Sequence, residues 1–184
     1  MLFRSLFLLL TCSIAANAQV ANWKTTVRGD AFFLTTSNKD YIWTNNYYSL
    51  QRINKLTGAV DKTLTIKVDS LPNPSSIRFM SVSNNNVLWF SVISIDGIFK
   101  YDGKKITNIS KLSDGTLIGA TQNIAADNKG NVWYNIGTKL YKFDGIKAIE
   151  VVNTANTNIT GIVAINIDSK DNVWISTYSQ GTYK

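Results

Sequence analysis

A 22-residue stretch, Ile124 to Gly145 (IAADNKGNVWYNIGTKLYKFDG), and its three weaker copies constrain most what this chain can fold into. Asp127-Asn128-Lys129-Gly130 reads as a tight turn, opened by an Asp that caps its own backbone and closed by a Gly that accepts positive φ. Asn131 to Asn135 follows as a strand of β-branched and aromatic residues. Ile136 to Lys139 reverses the chain into Leu140 to Phe143. Asp144-Gly145 is a strong hairpin signal that leads into a further strand, Ile146 to Val152. One copy is therefore most of a four-stranded antiparallel meander. The copies align on Trp43, Trp89, Trp133 and Trp174, which lie 46, 44 and 41 residues apart.

A period of about 40 to 45 residues with four strands per unit predicts an all-β fold, a β-propeller of about four four-stranded antiparallel blades. A second signal agrees. In the middle strand of a unit the apolar residues are consecutive (Val87-Leu88-Trp89-Phe90, Val132-Trp133-Tyr134, Val173-Trp174-Ile175), whereas a sheet with one wet face would alternate. These sheets are expected to be covered on both faces, as blades are by their neighbours. The expected blades are about 30–69, 76–110, 119–153 and 160–184, the last joined by residues 21–28. The chain stops at Tyr183-Lys184 before an outer strand of repeat four, while Asn22 to Val27 reads as a spare strand before repeat one. Trp23 to Val27 is accordingly expected to form the outermost strand of the fourth blade and so leave no open sheet edge. Three assemblies fit the blade count: a four-bladed ring, two chains completing an eight-bladed ring, or a fragment of a longer propeller.

The pattern D-x-x-G-N-V-W followed by L-Y-x-F-D-G resembles the two-component regulator propeller repeat of bacterial periplasmic sensor domains and some secreted relatives. Repeat three carries it in full through Asp127, Gly130, Asn131, Trp133, Leu140, Tyr141, Phe143, Asp144 and Gly145. Repeat two has Asn84-Asn85-Asn86 in place of the turn Asp and Gly, and repeat one matches poorly. The resemblance implies a ligand- or protein-binding sensor module, and rings usually larger than four blades. It speaks weakly about function, because propellers host unrelated activities.

Residues 1–18 read as a signal peptide, with Arg4 as the positive start, Leu6 to Leu10 as the apolar stretch and Ala16-Asn17-Ala18 as the cleavage site. The mature domain is then 19–184, periplasmic or secreted, with no stretch long and apolar enough for a membrane span. Lipid anchoring at Cys12 is the minor alternative. Otherwise the single cysteine leaves with the signal, and no disulfide or thiol chemistry remains. The mature chain carries 18 basic and 12 acidic residues, a surplus suited to a solvated surface or to an anionic partner. Nothing reads as a nucleic-acid module.

Chemistry is bounded by what the chain does not contain. It has no histidine, which removes the usual general base, the Ser-His-Asp arrangement and the commonest transition-metal ligand. Propeller lyases that open streptogramin-type lactones are similar in architecture but rely on histidine. Asp96, Asp102, Asp114, Asp127, Asp144, Asp168 and Asp171 fall in predicted turns and are expected to cap them. Asp168 to Asn172 lacks the Gly and distal Glu of a calcium loop. No cofactor, metal site or catalytic residue is expected. The in-register tryptophans are expected to pack the core. The ligand-binding candidates are residues that break the repeat within inter-strand loops, Tyr47, Asn135 and Tyr178, on the face formed by the blade-to-blade connections and the second-to-third-strand loops. The expected partner is an unidentified glycan or protein ligand, with a homo-oligomer or partner chain as the way to complete a larger ring. A propeller enzyme and an inactive fragment are the alternative functions.

Overall fold

The computed structural model describes residues 34–45, 49–65, 77–152, 155, 157 and 159–184. The predicted signal peptide, the strand Trp23 to Val27, Tyr47 and the connection Leu71 to Ser76 lie outside the described residues. Among the described residues, fifteen strands and no helix make four antiparallel sheets. Blade 1 is β1 (Leu34–Ser37), β2 (Tyr41–Asn45), β3 (Ser49–Asn54) and β4 (Val60–Thr65). Blade 2 is β5 (Ile77–Val82), β6 (Leu88–Val92), β7 (Ile98–Tyr101) and β8 (Ile106–Ile109). Blade 3 is β9 (Gln122–Ala126), β10 (Val132–Ile136), β11 (Lys139–Phe143) and β12 (Ala148–Val151). Blade 4 has three described strands, β13 (Ile162–Ile167), β14 (Val173–Thr177) and β15 (Thr182–Tyr183). Each blade is a simple meander, and the first strands pack in chain order, β1 on β5, β5 on β9 and β9 on β13. This is the expected all-β propeller architecture.

The consecutive apolar runs follow from this stacking. Every residue of β6 is buried, because blade 2 is covered by blade 1 on one face and by blade 3 on the other. Trp43, Trp89 and Trp133 each point toward the following blade. Trp43 packs with Leu88, Phe90 and an edge-on Tyr101 at 5.7 Å, and Trp89 packs with Val132, Tyr134 and an edge-on Phe143 at 6.3 Å. Ala125, Leu140 and Trp133 meet Ile162, Ile165 and Ile175 of blade 4. A cation sits over each of the four in-register tryptophans: Arg52 at 5.8 Å, Lys100 and Lys142 at 5.4 Å, and Lys184, just after β15, at 5.5 Å. Cross-strand pairing places three of these directly opposite their rings, Trp43 on Arg52, Trp89 on Lys100 and Trp133 on Lys142.

The tryptophans differ in burial. Trp43 is 0% exposed and Trp89 4%, whereas Trp174 is 39% exposed. The cause is positional, since Trp174 faces the side of blade 4 on which no further blade follows among the described residues. That face is also more polar than its counterparts. Asn166 pairs with Trp174 where Thr36, Ser81 and Ala125 pair with the other tryptophans. Thr182 likewise stands where Leu50, Ile98 and Leu140 are buried.

Candidate functional site

In blades 3 and 4 the repeated turn between the first and second strand is built around one carboxylate. Asp127 Oδ1 accepts the backbone N–H groups of Lys129 and Asn131, at 3.0 and 2.8 Å, while Oδ2 accepts from Asn131 Nδ2 and from Trp133 Nε1, at 2.7 and 3.4 Å. Asp168 does the same with Lys170, Asn172 and Trp174 Nε1, the last at 3.0 Å. These bonds explain the spacing D-x-x-x-N-x-W: the acid closes the turn, and Asn and Trp reach back to its free oxygen. They also hold the Asp168 carboxyl well below the usual carboxylate range, with the Asn172 amide the largest cause and the Trp174 indole next. With N–H donors on both oxygens, neither Asp127 nor Asp168 is presented as a metal ligand. Blade 1 has Asn38 at its turn, bonded to Asp40 N and Tyr41 N, and Trp43 Nε1 is left buried without a partner.

Neighbouring turns are tied to one another. Gly130 closes the blade 3 turn at φ 89°, and the matching residues of blades 2 and 4 are Asn86 at φ 64° and Asp171 at φ 61°. Both use the side chain that Gly lacks. Asn86 Oδ1 accepts from Asn38 Nδ2 at 2.6 Å, and Asp171 Oδ1 accepts from Asn128 N at 3.0 Å. Asp171 is thus a bridge between blades rather than a cap of its own turn. Asp102, Asp114 and Asp144 cap their turns as expected.

These turns rim a cavity of about 580 Å³ lined by the first strands of all four blades. Its polar lining includes Thr35, Ser37, Lys39, Asn84, Asn123, Asn128, Asn166 and Ser169. Phe79 is its one aromatic residue. First strands bring the polar groups here because their free edges face the axis while their larger side chains enter the spaces between blades. Hydroxyls tie those edges together: Thr36 Oγ1 accepts from Val82 N at 3.2 Å, and Ser81 Oγ from Ala126 N at 2.9 Å. The cavity opens toward the turns after the first strands, the end opposite the second-to-third-strand loops where sequence reasoning looked.

The three sequence candidates are not brought together. Tyr47 lies outside the described residues. Asn135 is 0% exposed inside blade 3, donating to Gln122 Oε1 and Gly137 O and accepting from Asn123 Nδ2 at 3.1 Å. It does not reach the cavity itself, but it orients Asn123, which does. Tyr178 is 87% exposed beside the β14–β15 turn, at the far end from the cavity mouth. The cavity residues escaped notice because small polar side chains in a first strand look like ordinary strand filler. Their one sequence signal is that Asn166 interrupts the otherwise apolar β13, while Thr35, Thr36 and Ser37 make β1 polar. Among the described residues no cluster of acidic, Cys or His side chains could hold a metal, and no helix is long and apolar enough to cross a membrane.

No protein-family model matches the chain, and no curated protein matches its sequence. Solved structures do match its fold. Catalytically inactive virginiamycin B lyase from Staphylococcus aureus, a histidine variant solved with quinupristin, is 18% identical over 88% of this chain and 58% of its own, with a TM-score of 0.56. The WD40 repeats of RRP9 are 9% identical over 84% of this chain and 54% of their own, with a TM-score of 0.51. The computationally designed Ika4 protein is 10% identical over 85% of this chain and 91% of its own, with a TM-score of 0.54. The chain is a β-propeller by fold, and it spans slightly more than half the length of the lyase and RRP9 chains.

Proposed function

We propose that this protein is an exported, non-catalytic binding module that takes a polar ligand into the channel lined by its four first strands. The observation that carries this reading is the cavity itself: about 580 Å³, fed by every blade and lined with hydroxyl and amide groups. Such a lining offers donors and acceptors that a polar ligand can satisfy, on rigid strands that need no rearrangement to present them. The predicted signal peptide and the resemblance to periplasmic sensor repeats support export and a sensing or binding role. The lyase with a similar fold is inactivated by loss of a histidine, and this chain contains none, which weighs against a shared mechanism.

Filling the channel tests the reading. Ser37→Phe and Asn166→Phe place bulk on exposed cavity positions without touching the interblade cores. For a ligand found by screening a glycan and peptide panel, each is expected to weaken binding about ten-fold or more, that is by at least about 1.4 kcal/mol, while the melting temperature stays within a few degrees. Unchanged affinity in both variants would place the ligand elsewhere.

A further inference from the structure

We infer that the channel mouth selects an acidic polysaccharide, held by a ring of lysines that the turns project around the opening; this rests on the channel being the binding site. Lys39, Lys129 and Lys170 each lie in the first-to-second-strand turn, four residues before the tryptophan of blades 1, 3 and 4, the blade 1 turn being one residue shorter than the other two. Lys39 lines the cavity, and the other two directly follow Asn128 and Ser169, which also line it. All three are exposed, and none makes an ion pair among the described residues. Most carboxylates of the same turns are held by N–H groups, Asp40, exposed beside Lys39 in the blade 1 turn, being the exception. Asp127 and Asp168 each accept four N–H bonds within their own turns, and Asp171 accepts from Asn128 N. In blades 3 and 4 the acids are therefore spent on the fold while the ammonium groups reach solvent. Lys104, Lys105 and Lys147 extend the same end outward at the third-to-fourth-strand turns of blades 2 and 3.

The chemistry of the recess narrows the partner. Hydroxyl and amide side chains behind a cationic rim suit a molecule that carries many hydroxyls and regularly spaced anions. A single-stranded nucleic acid would require aromatic stacking platforms, and Phe79 is the one aromatic in the lining. A membrane surface is flat and would leave the recess unfilled. A sugar chain bearing carboxylate, sulfate or phosphate satisfies both zones, with anions meeting the rim and hydroxyls entering the channel.

The test compares polygalacturonate oligomers with their methyl esters, which keep the sugar and remove the charge. The full chain should bind the acid form about ten-fold more tightly at low salt, three exposed ammonium–anion pairs being of that order, and added salt should erode the difference. K39Q/K129Q/K170Q should abolish the preference, while K62Q/K111Q, away from the rim, should retain it. Equal binding of acid and ester, unaltered in the rim variant, would overturn the inference and leave the channel reading standing. Lysine-dependent binding that persists when Ser37→Phe and Asn166→Phe fill the channel would overturn both. Sedimentation with phosphatidylglycerol vesicles but not phosphatidylcholine vesicles, without binding of polygalacturonate, would assign the rim to a membrane and overturn the inference.

Discussion

At the residue scale, the turn carboxylate does what a longer loop would otherwise need several groups to do. Asp168 closes a turn, fixes an Asn and anchors an indole, and the same set recurs at Asp127. The pH consequence has a definite sign. The folded-state pKa of Asp168 lies below its ordinary value near 3.8, so its contribution to stability is fully present above about pH 4. It is lost as pH falls below that value toward the folded pKa. Asp102 and Asp144 are lowered in the same direction, chiefly by the N–H groups of Lys105 and Lys147. Asp168→Asn should therefore flatten the acid limb of stability between about pH 4 and 2, and leave stability at pH 7 lower than in the wild type. Denaturant midpoints measured across that range check this; an unchanged acid limb would mean that the carboxylate contributes nothing as a charge. The Asp could be read from the sequence because D-x-x-G is a turn signal. Its second role, holding the tryptophan, could not, since the sequence repeats Asp and Trp without saying that they touch.

At the element scale, a blade is a sheet with two dissimilar faces, and the tryptophan face of one seats on the smooth apolar face of the next. The in-register repeat made this legible: the period set the strands, and the consecutive apolar runs showed that both faces are covered. What could not be read was which tryptophan lacks a neighbour, because burial depends on the next blade and not on the residue. The four tryptophans should accordingly differ on mutation. Trp89→Ala, at 4% exposure, should cost about 3–5 kcal/mol. Trp174→Ala, already 39% exposed on a face softened by Asn166 and Thr182, should cost only about 1–2 kcal/mol. Urea unfolding of the two variants side by side measures the difference. Equal losses would mean that Trp174 is covered in solution by a further surface.

At the scale of the whole molecule, stacking sheets around an axis turns their free inner edges toward one another and makes a polar channel from strands whose other positions are committed to cores. No single repeat encodes that channel. It arises from Thr35, Asn84, Asn123 and Asn166, four residues from four blades, none conspicuous in sequence. Loop residues that broke the repeat drew the sequence reading instead to Asn135, which is enclosed within its blade, and to Tyr178, at the other end of the molecule. The claim that the channel is the functional site is tested most directly by backbone amide NMR of the full chain during titration with a bound ligand. The account predicts shift changes concentrated on β1, β5, β9 and β13 and on the turns at Lys39, Asn84, Asn128 and Ser169. Changes concentrated around Tyr178 and the second-to-third-strand loops, with the first strands unmoved, would contradict it.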